Sequence, residues 1–274
     1  MYQHKKDIYM NICIIGSGNV ATHLAQALHN LHHTITGVYS PHIEHAKALA
    51  QKVNATMTTD SILSLPQADC YVFSVKDASL ADVIKQFREA HPQTDALCIH
   101  TAGSMPLSVF NSIKHSAVLY PMQSFSKNKF VDISKVPLFI EGSSPTALHE
   151  VSVLAHQLSQ SVTTLDSNKR KMLHLAAVFA NNFTNHCCAL AYKLLSDNNI
   201  DPHCLLPIID ETTNKLHSMM PLQAQTGPAV RWDENVINMQ HQLLNGSDLQ
   251  NIYDTMSQSI HRLHTLQKKE ITKP

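Results

Sequence analysis

Residues 10–21 read MNICIIGSGNVA, and this stretch decides the fold. A short apolar run, Ile12 to Ile15, stops at Gly16 and Gly18, and a helical pattern begins directly after them. A buried strand that turns tightly into a helix leaves the first N–H groups of the helix unpaired and directed at one point. A pyrophosphate satisfies those donors and also meets the positive end of the helix dipole. The stretch therefore predicts a dinucleotide-binding turn.

The two glycines of this turn are predicted to have different structural roles. Gly16 permits the turn itself, and Gly18 lets the backbone come close to the phosphates. Ala21 stands where a third small residue lets the helix pack on the strand. An ordinary turn with two glycines is disfavoured, because the chain has only 7 glycines in 274 residues. The predicted cofactor contacts of the turn are Gly16, Ser17, Gly18, Asn19 and Val20.

The composition is typical of a folded protein and gives no sign of binding to nucleic acid or to an anionic membrane. Hydrophobic residues make up 43% of the chain, and 21 basic residues balance 21 acidic ones without a basic tract. We therefore expect neither nucleic acid nor a membrane surface as a partner, and the apolar runs are too short for a bilayer span. Residues 1–9, MYQHKKDIY, lack the apolar core of a signal peptide. A cytoplasmic protein with a dispensable N-terminal extension is the expectation.

Cysteine and histidine are plentiful, but neither shows the spacing of metal ligands. Three of the six cysteines, Cys13, Cys70 and Cys98, fall in predicted buried strands, where a thiol behaves as a small apolar group. No C-x-x-C pair occurs, and the usage fits a reducing compartment. The 19 histidines lack acidic or thiol partners at ligand spacing, so no metal site is predicted.

Strand and helix patterns alternate from residue 10 to residue 165, after which the strand pattern ends. This alternation predicts an α/β fold, a Rossmann-type doubly wound parallel sheet with helices on both faces. A long helix then begins near Asp166 or Ser167 and reaches about Ser196, and only helices follow. We predict a cofactor-binding Rossmann-like domain over residues 1–165 and an all-helical domain over residues 166–274 for substrate binding and dimerisation.

Open parallel sheets bind ligands beyond the carboxyl ends of their strands, so the residues after each predicted strand are site candidates. Ser40 and His42 follow the second strand, where an NAD site usually has Asp or Glu. Both residues can donate a hydrogen bond to a 2′-phosphate, which a carboxylate would repel, so they favour NADP over NAD. The alternative is that Ser40 and His42 are plain turn residues. After the sixth strand, Gln123 is predicted to orient the substrate. The remaining predicted cofactor contacts are Val75, Lys76, His100, Thr101, Ala102 and Gly103.

The long helix carries a polar stripe on an otherwise apolar sequence. His174, Asn181 and Asn185 are spaced i, i+7 and i+11 and therefore share a face, with Lys171 beside them. Asparagine is unfavourable inside a helix. Because the stripe begins with two titratable groups, Lys171 and His174, we prefer a ligand-facing stripe to polar contacts between helices or at a dimer interface. We predict His174, or in second place Lys171, as the general acid or base, and the two asparagines as substrate contacts.

A second candidate for substrate binding lies in the loop TGPAVRWD, residues 226–233. Arg231 is suited to gripping a carboxylate or phosphate. The alternative is a surface arginine paired with Asp233.

Several motifs together resemble a known bacterial family that joins a Rossmann-like domain to a helical domain of unknown function. The family is described as NADP oxidoreductases, in the broad group of 6-phosphogluconate dehydrogenase and pyrroline-5-carboxylate reductase. In the 6-phosphogluconate dehydrogenase group, a helix carries the motif Lys-x-x-Asn at the substrate-binding site. Lys171 and His174 have this spacing, with His in place of Asn. The resemblance extends from Met10 to about Leu266. Its motifs are GSGNVA (16–21), VKD (75–77), HTAGS (100–104), YPMQSFS (120–126), KMLHLAAVFANNF (171–183) and TGPAVR (226–231).

The motifs and the resemblance together imply an NADP-dependent oxidoreductase that transfers a hydride between the cofactor and a small carbonyl, alcohol or imine. An NADP-binding sensor without turnover is the chief alternative. An S-adenosylmethionine enzyme is disfavoured, because no acidic residue stands just before the glycines. A homodimer is expected, since the helices after Leu165 carry more apolar residues than a small helical domain needs for its own core.

Overall fold

The structure, a computed structural model, describes residues 9–111 and 113–271, with side chains up to residue 266. Apart from Tyr9, the expected N-terminal extension lies outside these residues. The strands are β1 (Asn11–Ile15), β2 (Thr34–Tyr39), β3 (Thr58–Thr59), β4 (Cys70–Phe73), β5 (Leu97–His100), β6 (Ser116–Pro121), β7 (Leu138–Gly142) and β8 (Val162–Thr164).

The strands form one sheet in the order β3-β2-β1-β4-β5-β6-β7-β8. All neighbouring pairs from β3 to β6 are parallel, which confirms the predicted Rossmann-type arrangement. The pair β6–β7 is antiparallel, unlike the purely parallel sheet expected from the sequence. The connection over residues 122–137 contains only a short 3-10 turn, Ile133–Lys135, and antiparallel neighbours need no crossover helix.

The helices largely follow the predicted pattern. The single long helix expected from residue 167 is divided by a π-helical turn, Val178–Phe183. A short helix, Pro228–Arg231, lies within the predicted loop TGPAVRWD, and another, Pro221–Ala224, precedes that loop. The helices are α1 (Asn19–Asn30), α2 (Ile43–Val53), α3 (Asp77–Ala90), α4 (Pro145–Leu158), α5 (Ser167–Ala177), α6 (Thr184–Asp197), α7 (Leu206–Lys215), α8 (Pro221–Ala224), α9 (Pro228–Arg231), α10 (Glu234–Leu243) and α11 (Leu249–Ile271).

Two apolar layers cover the faces of the sheet, as expected for strands between two helical layers. In β1, Ile12 and Ile14 enter one layer while Cys13 and Ile15 enter the other, which follows the two-residue period of a strand. The three cysteines predicted to be buried are fully buried. Among the described residues, no helix is both long and apolar enough to cross a membrane.

The chain divides into two compact units, one ending at Asn182 and the other beginning at Phe183. The first turns of α5 belong to the unit that contains the sheet, since Arg170 in α5 is fully buried. Every regular element described after Phe183 is a helix. The separate roles predicted for residues 1–165 and 166–274 stay a prediction.

Candidate active site

The two glycines of the first turn have opposite surroundings. Gly16 has φ of +123°, and a Cβ built on it would lie 2.2 Å from the carbonyl oxygen of Ser74. Gly18 precedes α1 in an extended conformation, and a Cβ there would meet no atom within 4 Å. In the described structure no side chain caps the N-terminus of α1. The open space before this helix end therefore fits a pyrophosphate held by backbone N–H groups.

Ser17 and Ser40 connect this turn to the end of β2. The Ser17 hydroxyl donates to Ser40 Oγ at 2.9 Å, and Ser40 is buried. The backbone N–H of His42 also points to Ser40 Oγ, at 3.4 Å. The side chain of His42 is exposed. Ser40 thus supports the turn, so His42 is the exposed one of the two side chains predicted to face the ribose.

Asn19 and His23 fix the loop after β6 against α1. The Asn19 amide donates to the carbonyl oxygen of Phe125 at 2.8 Å. His23 Nε2 lies 3.0 Å from the carbonyl oxygen of Ser126, and its ring centroid lies 4.9 Å from that of Phe125. Asn19 was predicted as a cofactor contact; its side chain is used within the protein, so its backbone N–H is the group available to a phosphate.

The ends of β4 and β5 are tied together by hydroxyl groups. Thr101 Oγ1 donates to Ser74 Oγ at 3.1 Å, and the Thr101 backbone N–H donates to the carbonyl of Phe73. Ser104 donates to the Asp77 carboxylate at the start of α3. These bonds hold the two loops at the same edge of the sheet as the glycine turn. Of the residues predicted after β4, Val75 is half-buried and Lys76 is exposed.

His100 was predicted as a cofactor contact, but its side chain is fully buried. Its Nδ1 accepts a hydrogen bond from the backbone N–H of Ala102 at 3.2 Å. Burial lowers the pKa of His100 to about 3, and the guanidinium of Arg170 acts in the same direction. The neutral ring therefore shapes the turn that presents residues 101–103.

His174 contacts two elements of the sheet edge. Its Nδ1 lies 3.1 Å from the hydroxyl oxygen of Tyr120, and the two ring planes are inclined by 71°. A Cβ on Gly103 would come within 2.7 Å of His174 Nδ1 and 2.8 Å of Tyr120 Cζ. Only a glycine at position 103 lets the two rings meet in this way. Tyr120 was not predicted as a site residue, although its place at the end of β6 in YPMQSFS is a usable signal.

The Tyr120 hydroxyl is in an environment that keeps it protonated. Burial raises the pKa of Tyr120, the Asp77 carboxylate acts in the same direction, and the Arg170 guanidinium opposes both. A protonated phenol beside an imidazole can donate or relay a proton.

A cavity of about 250 Å³ opens beside this pair. It includes three predicted residues, Gln123, His174 and Asn181. The π-helical turn brings neighbouring Asn181 and Asn182 to the same cavity, and such turns are frequent at functional sites. No Asp, Glu, Lys or Arg is among the described residues around it. They are Tyr120, Met122, Gln123, Ser124, His174, Ala177, Val178, Ala180, Asn181 and Asn182.

A buried ion pair holds α5 in place one turn before His174. Arg170 is fully buried and donates to the Glu141 carboxylate of β7. It also donates to the carbonyl of Met105 at 2.7 Å, while Ser167 donates to Glu141 at 2.8 Å. Lys171, the competing candidate for acid or base, is exposed and does not line the cavity. The arrangement favours His174 of the two.

Asn185 and Arg231 lie in the second unit, and both are exposed. Asp233 accepts a hydrogen bond from the backbone N–H of Val236 and so caps α10. Within the described residues no ion pair joins Arg231 to Asp233, and no three His, Cys, Asp or Glu side chains are grouped as a metal site. Substrate roles for Asn185 and Arg231 stay predictions.

A larger cavity, about 450 Å³, lies between α1 and residues 127–134. It contains none of the residues of the glycine turn or of the Tyr120–His174 pair. The smaller cavity is therefore the candidate for the chemical step.

Two family models match the chain. Residues 11–102 match NADP oxidoreductase, coenzyme F420-dependent, and residues 136–260 match a domain of unknown function, DUF2520. A search of curated proteins finds no match.

Solved structures match nearly the whole chain. A "putative NADP oxidoreductase" from Bacteroides fragilis is 43% identical, with 93% of this chain and 98% of that chain covered and a TM-score of 0.87. A protein from Thermotoga maritima is 19% identical over 94% of this chain and 99% of that chain, with a TM-score of 0.70. An imine reductase variant from Myxococcus stipitatus, in complex with NAD+, is 15% identical over 93% of each chain, with a TM-score of 0.63. The last two share the fold.

Proposed function

We propose that this chain transfers a hydride between NADP(H) and a small carbonyl, alcohol or imine. The chain belongs to the family that joins an NADP oxidoreductase domain of the coenzyme-F420-dependent type to a C-terminal domain of unknown function. It is a pyridine-nucleotide-dependent oxidoreductase. The observation that carries the finer proposal is the shared edge of the sheet. The open turn at Gly18 follows the carboxyl end of β1, and Tyr120, which contacts His174 of α5, lies at the carboxyl end of β6.

The residues of the turn fit the cofactor. The uncapped N-terminus of α1 and the open space at Gly18 accept a pyrophosphate, and the exposed His42 side chain can donate to a 2′-phosphate. No acidic residue occupies the two positions predicted to face the ribose, Ser40 and His42. This pattern supports NADP over NAD. The remaining cofactor contacts are proposed to come from the predicted residues that follow β4 and β5, with the buried side chain of His100 left out.

The chemistry of the cavity fits a small substrate. A bound reduced nicotinamide would supply a hydride to the substrate carbon. His174 would be the source of the transferred proton, while the amides of Gln123 and Asn181 would orient the substrate by hydrogen bonds. No Asp, Glu, Lys or Arg side chain lines the described cavity, which favours an uncharged reacting group, a carbonyl or an imine.

The first experiment separates an enzyme from a sensor that binds NADP without turnover. Calorimetry with NADPH and NADH measures cofactor affinity, and a screen of small aldehydes, keto acids and imines with NADPH measures turnover. With an active substrate in hand, His174→Ala should lose roughly 100- to 10,000-fold in kcat, because general acid catalysis contributes about that much. Lys171→Ala is the matched control on the exposed side of α5, and its kcat should stay within about two-fold. Normal turnover by His174→Ala would exclude His174 as the acid.

The protein is further proposed to be a homodimer formed mainly by its helical region. Large apolar side chains are exposed after residue 170, among them Met172, Phe179, Ile208, Met220 and Leu243. A contiguous exposed apolar surface usually marks an interface, and these side chains are the candidates to form one. Light scattering should give a dimer mass for the wild type and a monomer mass for Ile208→Glu. Leu63→Glu changes an exposed leucine outside the helical region and is the control, which should keep the dimer mass. A monomeric wild type at micromolar concentration would overturn the dimer.

A further inference from the structure

We propose that the Tyr120 hydroxyl is the immediate proton donor to the substrate and that His174 supplies its replacement proton. The inference rests on the proposed reductase function and names a second catalytic residue for it. Sequence patterns alone pointed to His174 and Lys171, both on one helix. The geometry instead points to a pair that joins β6 to α5.

Contact between the two groups is direct. The Tyr120 hydroxyl oxygen and His174 Nδ1 are 3.1 Å apart, within hydrogen-bond distance, and both residues line the same cavity. Gly103 makes room for the pair, since a Cβ there would collide with both rings. An imidazole bonded through Nδ1 to a phenol can pass its proton to the phenol oxygen while the phenol releases its own.

The electrostatic surroundings favour a relay over a free tyrosinate. Burial and the Asp77 carboxylate both raise the pKa of Tyr120, and Arg170 offsets only part of this effect. A tyrosinate left after proton donation would therefore be unfavourable in the cavity. Immediate proton transfer from the histidinium of His174 removes that charge.

The proposed step balances as follows. In the reduction, the substrate carbon gains a hydride from a reduced nicotinamide, and the π pair of the C=O or C=N bond forms a bond to the phenolic proton. The O–H bond of Tyr120 breaks at the same time, and its oxygen takes the Nδ1 proton of protonated His174. The products are an alcohol or amine, the oxidised nicotinamide, neutral Tyr120 and neutral His174, which regains a proton from solvent.

The kinetic test compares two tyrosine variants that each lose one hydroxyl. Tyr120→Phe keeps the ring that packs on Gly103 and should lose roughly 100-fold or more in kcat, with the NADPH Kd within about two-fold of wild type. Tyr71→Phe is the control, because Tyr71 is a buried strand tyrosine whose hydroxyl donates to the Pro66 carbonyl at 2.9 Å, away from the cavity. Its kcat should be unchanged. The double variant Tyr120→Phe/His174→Ala should be little worse than either single variant, as residues that act as a unit are not additive.

A second measurement needs no substrate and no cofactor. The ¹⁵N NMR shift of His174 Nδ1 should change in Tyr120→Phe more than that of Nε2, and neither should change in Tyr71→Phe. An unchanged Nδ1 shift would show that the hydrogen bond is absent and would overturn the pair, whatever the cofactor. A changed shift with kcat within a few-fold of wild type would show that Tyr120 only contacts His174, which also overturns the proposal. Failure of NADPH to bind the wild type would instead reject the proposed function.

Discussion

Gly16 lies against the backbone of Ser74 so closely that a Cβ on Gly16 would come within 2.2 Å of the Ser74 carbonyl oxygen. Two residues further, Gly18 faces open space. The fold therefore requires a glycine at position 16, whereas the described structure has room for a side chain at position 18, in front of α1.

This difference predicts separate phenotypes for two glycine variants. Gly18→Val should fold normally and lose NADPH binding, because its side chain would fill the space of the pyrophosphate. Gly16→Val should lose stability, since its φ of +123° and the contact with Ser74 both exclude a side chain. Thermal unfolding and calorimetry measure the two effects. Unchanged NADPH affinity in a folded Gly18→Val would place the phosphates elsewhere.

The exposed side chain of His42 predicts the cofactor preference. His42→Ala should weaken NADPH binding about 10- to 100-fold, the range for a lost hydrogen bond to a charged group of about 1.5–3 kcal/mol, and leave NADH binding unchanged. His156→Ala, an exposed histidine of α4, is the control. Calorimetry with both cofactors decides; a tighter wild-type affinity for NADH would reverse the assignment at the end of β2.

The buried pair Arg170–Glu141 predicts an asymmetric loss of stability. Glu141→Gln leaves the fully buried guanidinium without its counter-charge and should cost about 3–5 kcal/mol in the free energy of unfolding. Arg170→Met should cost less, because methionine replaces the buried charge by apolar volume and the partly exposed carboxylate keeps its bond to Ser167. Urea denaturation measures both. Equal losses of stability in the two variants would mean that the unpaired buried charge is not the main cause of the loss in Glu141→Gln.

His100 predicts a loss of stability in acid. Its pKa is about 3 in the folded chain against an ordinary value of 6.5, so between these pH values only the unfolded chain takes up this proton. The free energy of unfolding should therefore fall as the pH drops below 6.5, by at most about 1.4 kcal/mol per pH unit for this residue. Burial lowers the pKa values of His33 and His91 in the same direction.

Denaturation at several pH values checks this dependence. His100→Asn should flatten it while keeping an acceptor for the Ala102 N–H, and His156→Asn should leave it unchanged. The same slope in His100→Asn and wild type would assign the acid sensitivity to other groups.

Much of the fold could be predicted from the sequence because its signals are local. Four fully buried residues at Ile12–Ile15, followed by glycines, identify β1 and α1, and the same kind of apolar run identifies β4. The reversed direction of β7 was missed, since the residues of a buried strand look alike in either direction. The division of the long helix was also missed, because VFANNF at residues 178–183 gives no distinct signal for a π-helical turn.

Single residues of the candidate site, among them Gln123 and His174, could be predicted because one element supplies the signal for each. His174 was found from the period of a single helix, but its hydrogen bond with Tyr120 joins residues 54 positions apart. Arg170 lies in the charged run Lys169–Lys171, which is typical of an exposed face, and its burial depends on Glu141 in another strand. Contacts of this kind depend on the packing of the whole sheet, and no local pattern reports them.

The buried ion pair also restricts how related sequences can diverge. A change at Glu141 alone leaves a charge without a counter-ion, so lineages that lose the carboxylate should lose the arginine at position 170 as well. The two positions are therefore expected to vary together, with apolar pairs replacing ionic pairs in a single evolutionary exchange. Correlated substitution across homologues would then carry a record of this contact, separate from any selection on the reaction itself.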